Sequence, residues 1–73
     1  MSMTTTFHVD RTLDRWEDDC LWAHVFDGDG CMVAKVVVAT RDGTNGGAAN
    51  TTAEEDAKLG EARLAAVLAG LRT

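Results

Sequence analysis

CLWAHVFDGDGCMVAKVVVAT, residues 20–40, reads as one β-hairpin whose two arms agree on which side chains face inward. With Asp27-Gly28-Asp29-Gly30 as the turn, Phe26 is expected opposite Cys31, Trp22 opposite Lys35 and Cys20 opposite Val37. Side chains alternate along a strand, so Leu21, Ala23 and Val25 share a face with Met32, Ala34, Val36 and Val38. That face carries no charge and is expected to be the core. The other carries Cys20, Trp22, His24, Phe26, Cys31, Val33, Lys35, Val37 and Ala39. It is too apolar for a purely solvated surface and too mixed for a second core, so function is expected there.

Working outward, Phe7, Val9 and Leu13 alternate with His8, Asp10 and Thr12, which predicts a first strand over residues 4–13 after a polar lead-in. Arg11 interrupts the apolar row, as an edge strand tolerates. Asp14 to Asp18 then connect to the hairpin, with Trp16 either folded back on the sheet or exposed; a short helical turn over Leu13 to Glu17 is the competing reading. Residues 41–51, with Asp42-Gly43 and Asn45-Gly46-Gly47, read as a mobile loop. Thr52-Ala53-Glu54-Glu55 is a capping box opening a helix over residues 52–72, with Arg72 complementing the dipole at its far end. At about 100° per residue, Ala53, Ala57, Gly60, Leu64, Val67, Leu68 and Leu71 form the stripe expected to cover the sheet. Ala62, Ala65, Ala66 and Ala69 make a second, small-residue patch, best explained by helix propensity. The expected fold is therefore a single α+β domain over residues 1–73: a three-stranded antiparallel meander, with strands over 4–13, 20–26 and 31–40, and one C-terminal helix on one face.

A chain of 73 residues supports one thin core, and domains of this size commonly need an extra source of stability. A disulfide does not supply it in the expected register, because Cys20 and Cys31 lie roughly 20 Å apart along the hairpin at about 3.3 Å per residue. Two free thiols suit a reducing cytosol, and no signal-peptide pattern or membrane-length apolar run is present. The expected location is cytoplasmic, and oligomerisation, a homodimer included, is the remaining route to extra stability.

Twelve acids against seven bases give a formal charge of −5, which argues against direct contact with a nucleic-acid backbone. Asp10, Asp14, Glu17, Asp18 and Asp19 crowd one stretch that holds only Arg11 and Arg15 in compensation, and Glu54, Glu55 and Asp56 form a second cluster. A solvated loop and a favourable helix start explain these, and an acidic surface for a basic partner is the sharper alternative.

Catalytic and metal motifs are weak. Asp27-Gly28-Asp29-Gly30 resembles the start of a calcium loop, but Cys31 and Met32 stand where an oxygen ligand and a glycine are needed. The glycines at 43, 46 and 47 lack the lysine of a phosphate loop and precede an acidic helix start. Cys20, Cys31, His8 and His24 have no metal-ligand spacing, and Ser2 is the only serine. No enzyme, metal or cofactor is expected. Trp22, Phe26 and Lys35 are instead expected at the centre of a protein-binding surface, with Asp14, Glu17, Asp18 and Asp19 as its rim and a basic protein surface as partner. In size, acidity and lack of catalytic motifs the chain resembles small inhibitors encoded by phages and mobile elements, including anti-CRISPR proteins. That resemblance is one of type and assigns no residue a role. It implies a regulator or inhibitor of a larger complex, one that itself handles nucleic acid. The alternatives are a self-associating structural subunit and, more weakly, a small Cys/His metal or thiol enzyme.

Overall fold

The computed structural model describes residues 6–45 and 52–72. The described chain is α+β: β1 (His8–Val9), a 3-10 turn (Arg11–Leu13), β2 (Arg15–Glu17), β3 (Cys20–Phe26), β4 (Met32–Thr40) and α1 (Ala53–Leu71). All strand pairs are antiparallel, and β3 is the centre, with β1 and β2 end to end along one side and β4 along the other.

Four strands stand where three were expected, because the first breaks at Asp10. Its carboxylate accepts from the Thr12 amide at 3.1 Å and the Thr12 hydroxyl at 2.6 Å, a local bond that competes with the ladder and winds Arg11–Leu13 into a 3-10 turn. Leu13 leaves the expected apolar row and is 49% exposed. Residues 4 and 5 of the expected strand lie outside the described residues, as do residues 1–3. The expected connection from Asp14 to Asp18 is largely β2, which returns to β3 through a tight turn at Asp18-Asp19. Both aspartates have positive φ, 51° and 63°, the left-handed backbone of the two-residue turn that matches strand twist.

The hairpin turn lies where expected, but its register does not. Asp27 Oδ1 accepts from the Asp29 and Cys31 amides, the Gly30 amide donates to Asp27 O, and Gly30 closes the turn at φ +84°. Phe26 consequently pairs with Met32 rather than Cys31, Trp22 with Val37 rather than Lys35, and Cys20 with Thr40 rather than Val37. Irregularities between Val25 and Phe26 and between Leu21 and Trp22 absorb the extra residues on β4. The first turns Met32 out of the expected inward set, leaving it 53% exposed, and the second moves Ala39 opposite Leu21.

The inward face otherwise holds. Ala23, Val25, Val36 and Val38 are buried with Leu64, and Phe7, Val9, Leu21, Ala34, Val67, Leu68 and Leu71 pack around them. The Thr52 cap is formed: the Glu55 amide donates to Thr52 Oγ1 at 3.1 Å, and the Thr52 hydroxyl donates to Glu55 Oε1 at 2.9 Å. The helix stripe differs at its start, where Ala53 and Ala57 are exposed and Asp56, Gly60 and Leu64 are buried. The cause is a close approach. A Cβ on Gly60 would sit 2.0 Å from Val38 O, so only glycine lets the helix backbone meet β4.

Asp56, 2% exposed, ties this junction together. It accepts from the Thr40 amide (2.8 Å), the Thr40 hydroxyl (3.0 Å) and the Asn45 amide (2.7 Å), while Asn45 Nδ2 donates back to Asp56 O at 3.2 Å. Burial disfavours the charged carboxylate, yet these donors outweigh it and hold Asp56 below the usual carboxylate range. Arg63 donates to both Asn45 oxygens. Asn45, within the expected mobile loop, is therefore tied to the helix through Asp56 and Arg63; residues 46–51 lie outside the described residues, Gly46 and Gly47 among them.

Candidate protein-binding face

The helix covers one side of the sheet, and the register decides what the other presents. Directly paired residues share a face, so Arg15, Trp22 and Val37 stand together, as do His24 with Lys35 and His8 with Phe26. Alternation along β2 adds Glu17. Trp22, His24 and Phe26 are half-buried, while Arg15, Glu17, Val33 and Lys35 are exposed.

Trp22 is the hub. Its indole Nε1 donates to Glu17 O at 3.3 Å, and Lys35 Nζ lies 4.8 Å from the ring centroid and 3.9 Å from Glu17 Oε2. The expected Trp22–Lys35 contact is present although the two are diagonal neighbours, because the long lysine side chain spans the offset. The indole is thus oriented by a backbone acceptor on one strand and a cation from another. An aromatic side chain held in one rotamer loses little further entropy on binding. Phe26 lies further along the face, stacked on His8 with centroids 5.6 Å apart.

The acidic rim is less uniform than expected. Asp14 Oδ2 takes the Arg11 Nε bond at 2.7 Å, and its side chain is largely buried. Asp19 pairs with Arg41 at 3.2 Å and Glu17 faces Lys35, so among the described residues only Asp18 of the four lacks an ion pair. The sequence pattern places all seven candidate residues in one surface; the fold brings Trp22, Lys35 and Glu17 into contact, puts Asp18 and Asp19 at the sheet's end, and ties Asp14 to the 3-10 turn. It missed Arg15, which stands across from Trp22. The signal was the alternation Arg15-Trp16-Glu17, legible only once that stretch is read as a strand.

On the helix side, Trp16 pairs with Leu21, is 45% exposed and lies under Arg41, whose guanidinium carbon is 4.8 Å from its ring centroid. Cys20 and Cys31 are unbridged and sit at opposite ends of the hairpin. Among the described residues no group of three or more His, Cys, Asp or Glu side chains could hold a metal ion, and no helix is long and apolar enough to cross a membrane. No family model, curated protein or solved structure matches the chain.

Proposed function

We propose that the chain is a non-enzymatic protein-binding module that regulates or inhibits a larger assembly by laying its uncovered sheet face on it. The observation that carries this is Trp22: half-buried, held between Glu17 O and the Lys35 ammonium, on a face that no element of the described fold covers. An oriented, partly exposed indole with a charged neighbour has the character of an interface anchor. Affinity capture of the host complex with purified protein, followed by titration of the identified partner, tests the reading. Trp22→Ala should lower affinity by about 2 kcal/mol or more and stay folded. Reversing the charge of Asp18 should act mainly on the association rate and its salt dependence. If Trp22→Ala binds as tightly as the parent, the face is not the binding surface.

Self-association through the same face is the second reading, favoured by a core of five buried apolar side chains among the described residues. Native mass measurement separates it, since this reading requires a dimer or larger particle in the purified protein.

A further inference from the structure

The uncovered face is not acidic, although the chain is. Its charged residues are Arg15, Lys35 and Glu17, giving it a net positive balance in a chain of net charge −5. Glu17 lies near Lys35, and Arg15 makes no ion pair among the described residues. The acids cluster elsewhere. Asp56 is buried under the helix, Glu61 pairs with Arg11 at 2.8 Å, Asp10 and Asp42 are bonded to Thr12 and Thr44, and Asp18, Asp19, Asp27 and Asp29 lie at the sheet's turns.

We infer that this face takes a segment of a partner protein that carries a carboxylate beside an apolar side chain, the carboxylate meeting Arg15 and the apolar group packing on Trp22. The inference rests on the binding reading above and adds the chemistry of the partner. A guanidinium presents paired N–H donors that match a carboxylate, and the neighbouring indole excludes water on one side. A basic partner surface would meet Arg15 unscreened, and of the four rim acids only Asp18 lacks an ion pair among the described residues. A nucleic-acid strand fits less well: two cations neutralise two phosphates at most, while the rest of the molecule repels a polyanion.

A randomised twelve-residue peptide library displayed on phage, panned against the parent, Arg15→Glu and Trp22→Ala proteins, tests it, with circular dichroism confirming that each variant is folded. The parent should enrich Asp or Glu within two residues of Leu, Phe or Trp. A synthetic peptide of the enriched sequence should bind Arg15→Glu at least tenfold more weakly and Arg15→Lys by less than that. Enrichment of Lys or Arg on the parent, the same peptides on parent and Arg15→Glu, no enrichment at all, or tighter binding of a fifteen-residue oligothymidine than of any peptide overturns the inference. Peptides that require Trp22 but carry no carboxylate overturn the inference alone; acidic peptides retained equally by Trp22→Ala overturn the assignment of the face.

Discussion

The two sides of β4 show how differently one strand can be used. Toward the helix, Val36 and Val38 are nearly fully buried, the Val38 carbonyl touches the helix at Gly60, and Thr40 is bonded through backbone and side chain to Asp56. Away from it, Val33 and Lys35 are exposed and Val37 is half-buried. One side is a set of contacts that tolerate almost no change in shape, and the other is a surface whose residues can be altered without touching the core. Stability is therefore concentrated at the helix–β4 junction and binding is assigned to the side that stability does not need.

The largest break in that asymmetry is expected from Gly60→Ala. Alanine is the better helix former by about 1 kcal/mol, so an exposed site would gain stability. Here the new methyl must push the helix off the Val38 backbone, and we expect a loss of about 3 kcal/mol or more in urea denaturation. A gain would show that the close approach is not present in solution.

Acid should act on the same side. Because the folded carboxyl of Asp56 lies below its unfolded value, its contribution is fully present above the unfolded pKa, near 3.9, and is lost as pH falls through the folded value. Thermal unfolding followed from pH 6 to pH 2 should show stability falling below about pH 4. Asp10 and Asp42, lowered by their bonds to Thr12 and Thr44, contribute in the same direction. Asp56→Asn should be less stable at neutral pH and show a shallower acid slope; an unchanged slope would remove Asp56 from the account.

A smaller effect of opposite sign is expected at the sheet's end. Asp18 and Asp19 adopt left-handed backbone that asparagine and glycine adopt more readily. The double substitution Asp18→Asn, Asp19→Gly should raise stability by about 1 kcal/mol, net of the lost Asp19–Arg41 pair. A loss would mean that this pair or the acidic tip contributes more than the relieved backbone.

How legible each side was in the sequence follows from the same contrast. β3, the Thr52 cap and the inward set Ala23, Val25, Val36, Val38 and Leu64 rest on alternation, helical spacing and a capping pattern, and these carried through. What did not carry through depended on polar side chains acting on nearby backbone. Asp10 bonding Thr12 broke the first strand, and the turn built on Asp27 together with the irregularity between Val25 and Phe26 moved the register that places Trp22 across from Val37. Asp56 reads as a helix-start charge, yet its spacing to Gly60 and Leu64, four and eight residues on, puts it on the buried stripe. Hydrophobic patterning cannot register a buried carboxylate whose donors, Thr40 and Asn45, lie 16 and 11 residues away. Within the candidate site, the Trp22–Lys35 contact is legible because a lysine side chain spans a register difference of two residues, whereas Arg15 is hidden when β2 is taken as a connecting loop.

Val36 and Val37 permit the most direct test of this asymmetry, being the same side chain at adjacent positions on opposite faces. Urea denaturation of Val36→Ala and Val37→Ala compares them under one protocol. Val36→Ala should cost about 2 kcal/mol, from two lost buried methyl groups and the cavity they leave, and Val37→Ala less than about 0.7 kcal/mol. Equal losses would contradict the account, because the uncovered face would then be a second core and not a surface free to bind.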